Sequence, residues 1–139
     1  MATSTIKYLG NLRTESTHLA SGATILTDAP VDNHGLGSQF SPTDMVANSL
    51  ATCMLTVMGI KANDMQISIN GSTAEVTKIM ASDPRRIGKI QVVFHIKVSE
   101  LTNKIQTILE NTAKTCPVHF SLHPDIEMEI EFHWEVQNK

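Results

Sequence analysis

Segment 41–62 constrains the fold most strongly, because it predicts one long helix that is apolar or small on nearly every side. Ser41 is a suitable N-cap, Pro42 suits the first helical position, and Asp44 follows as the acid of a capping box. The small residues of this segment would allow a sheet or a second helix to approach it closely. We therefore expect the chain to build its core around a long, mostly buried central helix.

Strand-like segments lie on both sides of this helix. The other predicted elements are short strands within the first 30 residues, strands at 66–82, 89–98 and 126–136, a helix at 100–115 and a short helix at 117–122. The last strand is the clearest, since apolar residues alternate with four glutamates and a histidine. Residues 28–40 are rich in Pro, Gly, Asp and Asn and predict a long loop. This order is typical of an α+β domain, and the length predicts a single domain over residues 1–139.

Charge and hydropathy exclude several classes of function. The formal net charge is −3, and the one basic cluster, Arg85, Arg86 and Lys89, lies at a predicted turn, so no basic face for nucleic acid is expected. The first ten residues contain no apolar run of a secretory signal. Segment 45–60 is interrupted by polar residues and is too short to span a bilayer. We therefore expect a cytoplasmic protein without nucleic-acid or membrane partners, whose cysteines are kept reduced.

The two cysteines, Cys53 and Cys116, are the main candidates for chemistry. Cys53 falls in the middle of the central helix, with the hydroxyls of Ser49 and Thr56 on the same helical face. Cys116 should point inward with the apolar stripe of the second helix, and as N-cap of the helix that Pro117 begins it would meet backbone N–H groups that favour a thiolate. Each cysteine could be an inert core residue. Two inward-facing thiols could also close a reversible disulfide.

Metal binding is the weaker alternative for this region. Cys116 and His119 have Cys-x-x-His spacing, but a structural site needs four ligands, and Cys53 has no second ligand two to four residues away. His123 is the only other imidazole near this segment. We therefore expect no metal and no cofactor, and a surface position for His119, whose imidazole would otherwise lower the pKa of a cysteine.

Two motifs resemble those of the OsmC/Ohr family. The run SPTDMVANSLATC, which ends at Cys53, is similar to the family's central-helix motif, in which a Ser/Asn-Pro start precedes the reactive cysteine. The run AKTCPV, around Cys116, is similar to the second motif, a Cys-Pro-Val/Ile near the end of the second helix. Both motifs occur in the family's order, and the predicted elements agree over essentially the whole chain. The resemblance implies antiparallel sheets around a long buried central helix and an intertwined homodimer.

The resemblance also implies a reaction. Cys53 would attack the O–O bond of an organic hydroperoxide and become a sulfenic acid, Cys116 would condense with it to a disulfide, and an external dithiol would restore both thiols. In the family, an Arg from an early strand and a Glu at the helix start hold the reactive cysteine. Here the Glu position is Thr43 or Asp44, depending on the register. Arg13 lies one residue from the Arg position, a shift that turns a strand side chain to the other face.

Three functions therefore stay open at this level. The favoured one is a thiol-dependent peroxidase that reduces organic hydroperoxides. The second is a non-enzymatic or weakly active dimer that binds a small apolar or acyl ligand or senses oxidants, and the changed helix start favours it. The third is another thiol reaction, conjugation or acyl transfer at Cys53, which the nearby hydroxyls suggest.

Overall fold

The computed structural model describes residues 1–137 and divides them into two compact units, one of residues 1–46 and a second that begins at Ala47. Its elements, in chain order, are β1 (Ser4–Gly10), β2 (Arg13–His18), β3 (Thr24–Asp28), α1 (Pro42–Asp64), β4 (Thr73–Ala81), β5 (Arg86–Val98), α2 (Asn103–Ala113), α3 (Pro117–Ser121) and β6 (Glu127–Val136). The α+β class is confirmed, with two sheets and one long helix. A single domain over 1–139 stays a prediction.

The first unit contains an antiparallel sheet in the order β1-β2-β3. Its first turn is tight because Gly10, Asn11 and Leu12 all have positive φ. The predicted loop follows β3 and includes one 3₁₀ turn at Val31–Asn33. The N–H of Asp28 donates to the carbonyl of Phe40 over 3.2 Å, which brings the two ends of the loop together. The loop therefore begins and ends beside the last residue of β3.

The second unit is built on the sheet β4-β5-β6, whose inner face is covered by apolar side chains. The buried residues of β5 alternate as the sequence predicted and are Ile90, Val92, Phe94, Ile96 and Val98. Phe94 stacks on Phe132 of β6, with ring centroids 5.2 Å apart. Buried side chains of α1 and α2, among them Leu50 and Leu109, complete one hydrophobic cluster with this face. The core of the second unit thus joins the sheet to α1 and α2.

One strand pair differs from the antiparallel arrangement that the family resemblance implied. β6 runs parallel to β5, with Phe94 opposite Phe132, whereas the other three pairs among residues 1–137 are antiparallel. Parallel neighbours need a crossover connection, and here α2 and α3 supply it between the two strands. The crossover is the part of the chain that carries Cys116.

The central helix α1 is confirmed, but its burial is one-sided. Its buried residues are Ala47, Leu50, Ala51, Met54, Met58 and Ala62. Val46 and Ile60 are exposed by 37% and 58% in the single chain, so burial on nearly every side is not observed. With 23 residues, α1 is also long and apolar enough by composition to cross a membrane, which corrects the expectation for segment 45–60. The core helix of a soluble protein has the same properties.

The strand predicted at 66–82 is shorter than expected. β4 begins at Thr73, because Gln66 and Gly71 have positive φ and residues before the strand form turns. The irregularity of the β4–β5 ladder lies between Ile79 and Met80, and not near Gly71 as the change of phase suggested. The face of β4 that points toward the core is nevertheless the predicted one, because Val76 packs against the hydrophobic cluster.

Candidate active site

Cys53 lies near the middle of α1, at the border between its buried and its exposed faces. Its thiol is free and partly buried, and the side chain packs against the core cluster. Leu50, one turn earlier, is fully buried, whereas the adjacent Thr52 is exposed. This position fixes the sulfur on a rigid helix and still leaves it accessible from one side.

The hydroxyl of Thr56, one of the two that the sequence places on the face of Cys53, is bound to the backbone of its own helix. Thr56 is exposed, and its hydroxyl donates to the backbone carbonyl of Thr52 over 2.7 Å. This bond within the helix is the usual one for threonine in a helix interior. It commits the hydroxyl hydrogen of Thr56 to the backbone, so this residue does not support acyl transfer at Cys53.

Cys116 is fully buried and has the predicted role of N-cap of α3. Its backbone is extended, with φ −68° and ψ 143°, and Pro117 occupies the start of the helix. The sulfur accepts a hydrogen bond from the backbone N–H of His119 over 3.3 Å. Leu109 and Ala113 of α2, on the same stripe, are also fully buried, which confirms the inward direction of Cys116.

The structure brings the two cysteines together as free thiols. Burial raises the pKa of Cys116, and the contact with the Cys53 side chain raises it further. The N–H groups of His119 and Val118 act in the opposite direction but do not compensate for the burial. The expectation that helix N–H groups make Cys116 a thiolate is therefore corrected, and Cys116 holds its proton. The more exposed Cys53 is the better placed of the two to meet a substrate.

His119 is half-buried and not a surface residue as expected. Its ring packs edge-on against Phe120, with centroids 5.7 Å apart and an interplanar angle of 83°. Its Nδ1 atom is buried, and within residues 1–137 it has no hydrogen-bond partner. The Cys-x-x-His spacing singled out His119 in the sequence, but it carries no information on the burial of the ring.

Arg13, in the first unit, is held by a residue that the sequence analysis missed. Its Nε and Nη2 donate to the two carboxylate oxygens of Asp28 over 2.7 and 3.0 Å. Nη2 also donates to the hydroxyl of Ser38 over 3.0 Å, and that hydroxyl donates in turn to Asp28. Asp28 is 1% exposed, and hydrogen bonds from Arg13 and Ser38 lower its pKa to about 2. The pairing was not visible in sequence, because it depends on β2 and β3 being neighbours.

Asp44 and Thr43 lie at the start of α1, where the capping box is confirmed. The N–H of Asp44 donates to the Ser41 hydroxyl, and the N–H of Ser41 donates to a carboxylate oxygen of Asp44, both over 3.0 Å. The hydroxyls of Ser41 and Thr43 lie 3.2 Å apart. These contacts explain the helix start. A role of either residue in supporting the Cys53 thiolate stays a prediction.

No group of three or more His, Cys, Asp or Glu side chains with a geometry suited to a metal ion occurs within residues 1–137. The Cys-x-x-His spacing of Cys116 and His119 instead places a backbone N–H on the sulfur.

Comparison with known proteins identifies the family. Residues 35–131 match the model of the family described as OsmC-like protein, while no curated protein matches the chain. The chain is 55% identical to a Psychrobacter arcticus protein described as an osmotic stress induced and detoxification response protein, with 96% of each chain covered and a TM-score of 0.91. Its fold is also similar to that of two organic hydroperoxide resistance proteins, OsmC of Legionella pneumophila (17% identity, 95% and 97% covered, TM-score 0.69) and OhrB of Bacillus subtilis (17% identity, 95% and 98% covered, TM-score 0.63). Because the family match extends over more than half of the sequence, the chain belongs to the OsmC-like protein family.

Proposed function

We propose that this protein is a thiol-dependent peroxidase that reduces organic hydroperoxides. The observation that carries the proposal is the contact between Cys53 and Cys116, two free thiols of which one is partly exposed and the other fully buried. A reactive thiol beside a protected second thiol is the arrangement that a disulfide-forming peroxidase needs. The names of the Legionella and Bacillus fold relatives, both organic hydroperoxide resistance proteins, agree with this chemistry.

The reaction proceeds in three balanced steps. The Cys53 thiolate attacks the distal oxygen of the hydroperoxide, the O–O bond breaks, and the alkoxide takes a proton and leaves as an alcohol, so that Cys53 becomes a sulfenic acid. Cys116 attacks the sulfur of this sulfenic acid, and water leaves as the disulfide forms. An external dithiol then reduces the disulfide and is itself oxidised. Because Cys116 is buried, its thiol is shielded from the peroxide and remains available for the second step.

An organic substrate fits the surroundings of Cys53 better than hydrogen peroxide does. Val57, one turn after Cys53 on the same face of α1, is partly buried and packs against the same cluster. An alkyl group that covers such residues gains roughly 25 cal/mol for each Å² of apolar surface removed from water. Hydrogen peroxide has no apolar part and gains nothing from this contact.

The family resemblance assigns Arg13 and the helix-start residues Thr43 and Asp44 to the support of the Cys53 thiolate. The test is Arg13→Gln, with the rate of Cys53 alkylation measured against pH and the free energy of unfolding measured in parallel. A supporting role predicts that the apparent pKa of Cys53 rises in the variant. A variant that loses stability while the alkylation profile is unchanged would restrict Arg13 to its structural pairing with Asp28.

We further propose that the protein is a homodimer whose subunits cover the first sheet. Ile6 and Ile25 both lie opposite Ser16 in the register of this sheet, so they share one face, and they are 69% and 50% exposed. Tyr8, two residues after Ile6, is 63% exposed on that face. Exposed apolar residues that cluster in this way are typical of a subunit interface. Sedimentation velocity should show a dimer, and Ile25→Lys should shift it toward monomer, whereas a monomeric wild-type protein would contradict this part of the proposal.

The deciding experiment measures the consumption of cumene hydroperoxide by reduced protein with excess dithiol. Wild-type protein should turn over and prefer this substrate to hydrogen peroxide, and Cys53→Ser should abolish the reaction. Cys116→Ser is the matched control: assayed without dithiol, it should consume one equivalent of peroxide and accumulate the sulfenic acid at Cys53. Full turnover by Cys53→Ser would exclude the proposal.

One observation favours the second candidate, an oxidant sensor or a binding protein with slow chemistry. Both oxygens of Asp28 engage Arg13, so the charge of the guanidinium is already balanced within the first unit. A paired cation lowers the pKa of a thiol less than a free one does. Oxidation of Cys53 by stoichiometric peroxide without catalytic turnover would support this candidate against the enzyme.

A further inference from the structure

We propose that the imidazole of His119 accepts the proton of Cys116 when this thiol closes the disulfide with Cys53. The inference rests on the proposed function, since it concerns the second step of that reaction. It concerns a residue to which the family resemblance assigns no role. The observations behind it are the burial of Cys116, the hydrogen bond that His119 makes to it, and the unpaired nitrogen of the His119 ring.

The second step needs a base because Cys116 is a protonated thiol. It is fully buried, and burial is the main cause of its raised pKa. A thiol is a poor nucleophile compared with the thiolate, so its proton must leave as the sulfur attacks. Bulk water does not reach a fully buried sulfur, and the proton therefore has to pass to a neighbouring protein group.

His119 is the titratable residue whose backbone already contacts the reacting sulfur. Its N–H donates to Cys116 Sγ over 3.3 Å, which fixes the sulfur against the first turn of α3. Cys116 and His119 occupy the N-cap and the third helical position, and in a capping box the side chain of the third position reaches back toward the N-cap residue. In the resting structure Nδ1 makes no hydrogen bond to the sulfur, so the ring has to turn toward Sγ as the disulfide forms, as catalytic hydrogen bonds often tighten only in the reacting complex.

The unpaired Nδ1 also argues against a purely structural role for the ring. Buried ring nitrogens are normally hydrogen-bonded, and this one has no partner within residues 1–137. The aromatic contact of the ring is with Phe120, which is 72% exposed and contributes little to the core. A nitrogen that must accept a proton during the reaction has a reason to be left without a permanent donor.

The proton transfer completes the second step without a further reactant. The electron pair of Cys116 Sγ forms the S–S bond, and the S–O bond of the Cys53 sulfenic acid breaks. The proton of Cys116 passes to Nδ1 of His119 and then to the departing hydroxide, which leaves as water. The imidazole is neutral before and after the step, so it acts as a general base and then as a general acid.

The test isolates this step from the peroxide chemistry by using dithiodipyridine, a neutral aromatic disulfide. The Cys53 thiolate displaces one thiopyridone and forms a mixed disulfide, and Cys116 then displaces the second thiopyridone as the Cys53–Cys116 disulfide forms. The two releases are followed by absorbance in stopped flow. His119→Gln keeps a polar side chain that cannot act as the base, and His119→Ala leaves space for added imidazole. His123→Gln is the matched control, because His123 is an exposed histidine close in sequence to His119. Its Nδ1 atom contacts Asp125, through that residue's backbone N–H and carboxylate.

We expect both His119 variants to release the first thiopyridone at the wild-type rate and the second one roughly 100-fold more slowly, the size of a typical general-base contribution. Added imidazole should restore the second release in His119→Ala, and His123→Gln should match the wild type in both. The inference would be overturned if both variants released the second thiopyridone within about twofold of the wild-type rate. It would also be overturned if this release were slow in His119→Ala and added imidazole did not restore it. Failure of the peroxidase proposal would look different. In that case the wild-type protein would release both thiopyridones at normal rates but would not consume cumene hydroperoxide.

Discussion

The reciprocal hydrogen bonds at the start of α1 provide a quantitative test of how the Cys53 helix is held. The Ser41 hydroxyl accepts the N–H of Asp44, and the Asp44 carboxylate accepts the N–H of Ser41. Ser41 is only 1% exposed, so water cannot readily replace a bond that is lost. We therefore predict that Ser41→Ala and Asp44→Ala each destabilise the protein and that their effects are not additive.

The magnitude follows from the burial and the two bonds. Loss of an N-cap side chain costs about 1 kcal/mol and up to about 2, and the buried setting of Ser41 places Ser41→Ala near the upper end. Asp44→Ala leaves the Ser41 N–H without its acceptor and removes a favourable charge at the helix start, for a total of about 1.5 to 2 kcal/mol. Because each side chain positions the other, the double variant should cost about 1 kcal/mol less than the sum of the single variants.

The assay is urea unfolding followed by circular dichroism, at one fixed protein concentration because dimerisation would add to the apparent stability. Asp44→Asn is the matched control, since its amide oxygen can still accept the Ser41 N–H and should cost less than about 1 kcal/mol. Single-variant losses below about 0.5 kcal/mol, or strictly additive losses, would refute the reading of these contacts as one capping box. The same proteins serve the peroxide assay, where Asp44→Asn reports on the carboxylate that the family resemblance assigns to the site.

Three further predictions concern other parts of the molecule. Because the pKa of Asp28 is lowered from 3.8 to about 2, its pairing with Arg13 stabilises the fold fully above pH 3.8 and is lost as the pH falls toward 2. Asp28→Asn should therefore remove this part of the acid dependence of the urea midpoint, and an unchanged dependence would contradict the pairing. Phe94→Ala should cost about 3 to 5 kcal/mol in the same assay, since the side chain is fully buried, and a loss below about 1 kcal/mol would contradict the core packing. Gly35→Ala would place a Cβ 1.7 Å from the carbonyl oxygen of Ala29, so loop 28–40 must rearrange, and limited proteolysis should cleave it faster than in the wild type.

The features that were predictable from sequence are those fixed by neighbours along the chain. The start of α1 was predictable because the capping contacts of Ser41 and Asp44 span three residues. The alternation of β5 was confirmed by its buried residues, and the inward direction of Cys116 followed from helical spacing. In each case a periodic or local pattern determines the conformation of a single element.

The features that sequence reasoning missed depend on which elements become neighbours. The alternating pattern of β6 predicts a strand, but it carries no information on the direction of its partner, which is parallel. Asp28 and Arg13 are fifteen residues apart, and only the β2–β3 register places them opposite each other. The late start of the strand predicted at 66–82 depends on the left-handed backbone of Gln66, a conformation that its residue type does not signal.

The crossover between β5 and β6 also has a consequence for the order in which the molecule folds. β4 and β5 can pair as a hairpin as soon as both have been synthesised, whereas β6 joins β5 only after the whole α2–α3 segment has been made. Cys116 belongs to that segment, and its cluster includes Ile130 and Phe132 of β6. Until the last strand is in place, the cluster that buries Cys116 is therefore incomplete. A growing chain depends on the reducing capacity of its surroundings for that interval, and Cys116 reaches its buried position only once the sheet is complete.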